Sequence, residues 1–220
     1  MNISFSESEL EQIRKAVGAA EQQTSGEIVP YVVDRCGGYE VAIWRGAGLL
    51  AVALLTASLV FLQFYEGWGF AWLHSPWGPA LVMLAGAAVG ALMVATIPAL
   101  RRYFAGPSRL ARTVHHRAMR AFVEEEVFKT QDRTGILLFI SLFEHRIEVL
   151  GDEGINRAVS TDDWVDVVQT VQNGIASGRI AEGIVDAIGK CGALLNSHGV
   201  DIRPDDTDEL SNRLRFGSDE

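Results

Sequence analysis

The charged residues best placed for chemistry in this chain are Glu27, the Asp132-Arg133 pair and the Asp152-Glu153 pair, each beside an apolar run. Calcium takes about six to eight oxygens from carboxylates, carbonyls and water. Glu27, Asp132, Asp152 and Glu153, helped by loop carbonyls, are therefore a candidate site for calcium or another divalent cation. The competing reading is that acids at strand ends and helix starts are solvated, or paired with Arg133 and a helix dipole. Glu27 poses the choice most sharply. A carboxylate opening an apolar strand is costly unless paired, and its alternative to metal ligation is a salt bridge with Arg133.

These acids meet only if particular elements bring them together. The spacing predicts a short β-branched strand over 27–34 and a nearly continuous apolar strand over 135–142, covered on both faces. After a tight turn at Glu144-His145, residues 146–150 alternate as a hairpin partner. With the first strand parallel to the second, and the third antiparallel to it, the acids gather at one edge of the sheet. A helix start near Ser160 adds Asp162 and Asp163. Pro30 argues that the first strand is an edge or carries a bulge.

Helices frame these strands. Ser6 and Glu9 have capping-box spacing, and Leu10, Ile13, Val17 and Ala20 mark one helical face that runs to about residue 23. A long amphipathic helix is expected over 108–129. Ser160 or Thr161 opens another, with Trp164, Val168, Val171 and Ile175 inward. Ile180, Ile184, Ile188, Cys191 and Leu195 line a last one. The tail from Asp201 reads as polar and extended. The order helix, strand, helix, strand, strand, helix, helix predicts an α/β fold with a parallel strand pair covered by helices.

Between the first strand and the long helix lie two apolar runs, 46–65 and 77–100, without a charged residue. About 20 apolar residues in a helix cross a hydrocarbon core, and a helix satisfies its own backbone there. The runs predict a transmembrane hairpin inserted in one domain. Gly86 and Gly90 have the small-xxx-small spacing that lets membrane helices approach closely. The connecting loop carries Glu66, Trp68, Phe70, Trp72 and His74 and no Lys or Arg. Six arginines and no acid lie between 101 and 120, including a collar of Arg101, Arg102, Arg109 and Arg112. By the positive-inside rule both flanks, and both termini, are cytoplasmic.

A net charge of −9 argues against nucleic acid as a partner. Cys36 and Cys191 have no CxxC spacing and cannot alone form a zinc site; Cys191, on an apolar stripe, is expected as a buried thiol. His115-His116 diverge by about 100° on a helix and do not readily share a metal. No GxGxxG or Walker loop occurs.

Taken in order, residues 22–29 (QQTSGEIV), 132–139 (DRTGILLF), 146–155 (RIEVLGDEGI) and 178–184 (GRIAEGI) resemble the TPM domain family of thylakoid lumen and bacterial proteins. The resemblance spans most of 6–210. It is nearest the bacterial subgroup in which a transmembrane hairpin splits the domain and a short acidic segment, here 205–210, closes the chain. It implies a three-layer α/β/α sandwich in the bacterial inner membrane. Calcium binding is reported for some members, and acid phosphatase activity has been attributed to plant members. Residues 1–40 then form the first part of the domain, 41–100 the membrane hairpin, 101–200 the remainder and 201–220 an acidic tail. The function expected is a non-enzymatic binding or scaffolding module for membrane-protein assembly or maintenance, with the lipid bilayer and a protein as partners and a divalent cation at the acidic edge. The alternative is a metal-dependent, phosphatase-like hydrolase.

Overall fold

The computed structural model describes residues 5–65, 68–200, 202 and 209–217. Glu66 of the hairpin loop, Asp201, and Asp205 to Asp208 of the acidic tail lie outside them. In chain order the elements are α1 (Glu7–Glu21), β1 (Glu27–Val33), α2 (Glu40–Phe64), a 3₁₀ turn (Trp68–His74), α3 (Gly78–Thr96), α4 (Pro98–Ala105), α5 (Pro107–Glu124), β2 (Gly135–Ser141), β3 (Arg146–Gly151), α6 (Glu153–Ala158), a 3₁₀ turn (Thr161–Trp164), α7 (Val165–Ala176), α8 (Ile180–Ser197) and β4 (Arg215–Gly217). They form two units, one of Met1–Gly37 with Ala111–Glu220 and one of Gly38–Leu110.

The first unit is an α/β/α sandwich around a four-stranded sheet in the order β3-β2-β1-β4. β1 and β2 are parallel, from Glu27 opposite Gly135 to Val33 opposite Ser141, and β3 returns antiparallel to β2. Side chains alternate across the sheet. Ile28, Ile136, Leu138 and Ile140 face a core shared with Ile13, Val17, Trp164, Val171, Ile184 and Ile188 of the helical layer on that side. Val29, Tyr31, Leu137 and Phe139 face Val114, Ala118 and Ala121 of α5. Both middle strands are therefore fully buried, as their uninterrupted apolar sequences require.

Pro30 lies in an inner strand. The Glu27 N–H donates to the Thr134 carbonyl of the β2 side, so by alternation the backbone of residue 30 points away from β2. On that other side β4 pairs only with Tyr31 to Val33. Among the described residues no ladder pair forms at residue 30 on that side, so the missing proline N–H costs no ladder bond. β4 itself was not expected; Leu214, buried just before it, anchors the tail in the core.

α1 has its capping box, with the Ser6 side chain on the Glu9 N–H and the Glu9 carboxylate on the Ser6 N–H. Ser160 and Asp163 form a second box. α5 stops at Glu124, short of residue 129, and the chain turns at Glu126 with φ 55°. The buried residues of α7 are Val167, Val171 and Gly174; of the expected inward face, Trp164 and Val171 are buried, Ile175 packs half-buried against the same core, and Val168 is half-buried.

In the second unit, α2 packs on α3 through small residues. A Cβ on Gly90 would stand 2.6 Å from the Gly46 carbonyl oxygen, and one on Gly86 would stand 3.1 Å from that of Leu50. The expected second run of 77–100 ends as α3 at Thr96, because Pro98 holds Ile97 extended (φ −102°, ψ 103°) and opens α4. α2 and α3 are both long and apolar enough to cross a membrane, yet only 17% and 22% of their most apolar windows are buried. Trp44, Leu49, Val52, Phe64, Leu81, Leu84 and Leu92 are exposed on them.

Candidate functional site

The sheet brings part of the acidic set to one end. Glu27 opens β1 and Asp152 follows β3, both buried. Glu27 Oε1 accepts from the Glu209 N–H at 3.2 Å and Oε2 from the Leu210 N–H at 3.3 Å. Glu209 in turn accepts from the Gln131 N–H at 3.0 Å. The tail thus closes over the end of the sheet, a role that nothing in its polar composition announced.

Arg133, the sequence partner for Glu27, is bonded to Asp152. Its Nη2 donates to Asp152 Oδ1 at 3.0 Å; Nε lies 2.8 Å from Oδ2, a charge contact whose N–H is not aimed along the bond. Arg133 takes a left-handed backbone (φ 59°), with its N–H on the Thr130 carbonyl and its carbonyl on the Gly154 N–H. Residue 154 must be glycine here, since a Cβ would sit 2.5 Å from the Asp132 carbonyl oxygen. Asp152 also caps α6 through the Glu153 N–H at 2.8 Å. Glu153 is paired with Arg157 one turn on. Asp132 is exposed, and Asp163 is held by Ser160.

Both oxygens of Glu27 meet N–H donors, Asp152 and Glu153 meet guanidinium groups, and among the described residues no three carboxylate, imidazole or thiol groups converge. The acidic end is built as a closure, with its charges answered from within the chain.

At the opposite end of β1 and β2, Glu144 Oε1 accepts from the Cys36 N–H at 2.9 Å, and Oε2 accepts from the Ser141 hydroxyl. Cys36 Sγ lies 3.3 Å from Ser141 Oγ. All three are buried. The sequence showed only a turn at Glu144; in the fold it latches the segment leaving β1 to the end of β2.

An open groove of about 670 Å³ runs along β3. Ile147 and Val149 of β3 meet Trp164, Val165 and Val168 on its apolar wall, and Arg112, His115, Arg146 and Glu148 line the polar one. His115 Nδ1 lies 2.6 Å from Glu148 Oε1, on a side chain that stays exposed. Of the arginine collar, Arg101 and Arg102 lie half-buried on α4, and Arg109 and Arg112 exposed on α5.

A family model described as the TPM domain matches residues 81–194. No curated protein matches the chain. Among solved structures, the NMR structure of the BA42 protein from the psychrophilic bacterium Bizionia argentinensis is similar in fold, with a TM-score of 0.58 and 20% identity over 99% of this chain and 98% of that one.

Proposed function

The chain belongs to the TPM domain family, and on that premise we propose that it is a membrane-anchored, non-enzymatic binding module of the hairpin-split bacterial subgroup. The hairpin of α2 and α3 holds it in the bacterial inner membrane, with the sandwich and both termini on the cytoplasmic side. The observation that carries this reading is that both helices pass the length and hydropathy needed for a span while leaving most of their apolar surface uncovered. A core helix of a soluble protein buries that surface; an exposed apolar area of this extent marks a membrane or a partner. The placement of the arginines supports the sidedness, and a groove with one apolar and one polar wall supports binding as the role.

Extraction of cell membranes with alkaline carbonate tests the anchoring. The chain stays in the pellet if α2 and α3 span the bilayer; recovery in the supernatant as a dispersed protein overturns the reading.

A further inference from the structure

The two edges of the sheet are finished differently. β4 is three residues long, and short edge strands resist further pairing. β3 is six residues long, in continuous register with β2 and without proline, lysine or bulge. Its outer side can be read from one bond. The Asp152 N–H donates to the Gly135 carbonyl. In an antiparallel ladder, bonded pairs recur every second residue, so Leu150, Glu148 and Arg146 turn their backbone toward β2. Ile147 and Val149 turn their N–H and C=O groups away from it, and among the described strands β3 pairs with β2 alone.

The groove lies along this edge, and its walls differ in the manner a strand would read. Side chains of an added strand alternate between the two faces. On one face they would meet Ile147, Val149, Trp164 and Val168; on the other, Arg112 and Arg146 beside a Glu148 already bonded to His115. That second wall is net positive in a chain of net charge −9.

We infer that the free edge of β3 binds an extended segment of a partner protein by strand addition, and that this segment alternates apolar residues with acidic ones. This rests on the reading of the chain as a binding module and names the chemistry of what it binds. Backbone pairing with Ile147 and Val149 supplies affinity, and the two walls supply selectivity.

The test is fluorescence anisotropy on the full chain in detergent micelles. The probes are short peptides in which valine alternates with aspartate, the same peptides with lysine for aspartate, and copies N-methylated at alternate amides. Saturable binding of the aspartate peptides is expected, with the lysine peptides weaker by roughly tenfold or more. N-methylation on the pairing edge removes binding. Arg112→Glu, on an exposed side chain, reverses the preference, and Val149→Pro removes an outward donor without touching the β2 ladder. The inference is overturned if no aspartate peptide binds, if charge or N-methylation makes no difference, or if sedimentation shows a dimer that Val149→Pro dissociates, since a second copy would then hold the edge. A flat peptide titration with a carbonate-resistant chain sinks this inference and leaves the anchoring standing.

Discussion

Gly46 and Gly90 meet backbone to backbone across the hairpin, so close that a Cβ on Gly90 would stand 2.6 Å from the Gly46 carbonyl oxygen. Gly90→Leu is therefore expected to force α2 and α3 apart, at a cost of about 1–3 kcal/mol, the usual range for overpacking. Gly48→Leu, on α2, has nothing within 4 Å of its Cβ and should be neutral. Thermal unfolding of the two variants in detergent compares them, and equal stability would mean the helices do not pack through this pair.

Glu144 holds the Cys36 N–H and the Ser141 hydroxyl in the buried end of the sheet. Glu144→Ala leaves both donors without this acceptor, and an unsatisfied buried group costs about 1–3 kcal/mol. Urea unfolding followed by circular dichroism should show the loss, with Glu144→Gln milder because an amide oxygen still accepts one bond.

Little of the acidic end was legible beforehand. The parallel pair, the hairpin of β2 and β3 and the Ser6 capping box followed from alternation, apolar runs and cap spacing, signals confined to a few neighbouring residues. The partners of Glu27 did not. They are main-chain N–H groups of Glu209 and Leu210, which every residue type offers, so no side-chain pattern marks them. The same holds for β4, whose three residues are too few to show a period. Glu144 was equally hidden: its partners Cys36 and Ser141 lie in different strand ends, one of them far away in sequence.

Acid should weaken the domain through its caps. The Ser6 backbone N–H, and then its hydroxyl, hold Glu9 below the usual glutamate value; the Ser160 hydroxyl, and then its backbone N–H, do the same for Asp163. A carboxylate depressed in the folded state contributes stability above its unfolded value and loses it as pH falls through the folded one. The melting temperature is expected to fall between about pH 5 and about pH 3, less steeply in the double variant Glu9→Gln with Asp163→Asn. An unchanged slope would remove the caps as the cause.

Burial pushes the Cys191 thiol up to about 12. The thiolate is the reactive form, so iodoacetamide at mildly alkaline pH should leave Cys191 unmodified in the folded chain and label it after unfolding in urea. Labelling at the same rate in both states would show that the α8 core is open.

The central claim is a single sandwich whose chain leaves for two membrane spans and returns on the same side. The most direct measurement is labelling by a membrane-impermeant maleimide in intact cells, comparing Trp72→Cys in the exposed turn between the spans with Lys190→Cys on the exposed face of α8. The account predicts that position 72 is labelled from outside and that position 190 is labelled only after the membrane is broken. Labelling of position 190 in intact cells, or protection of position 72 until lysis, would contradict it.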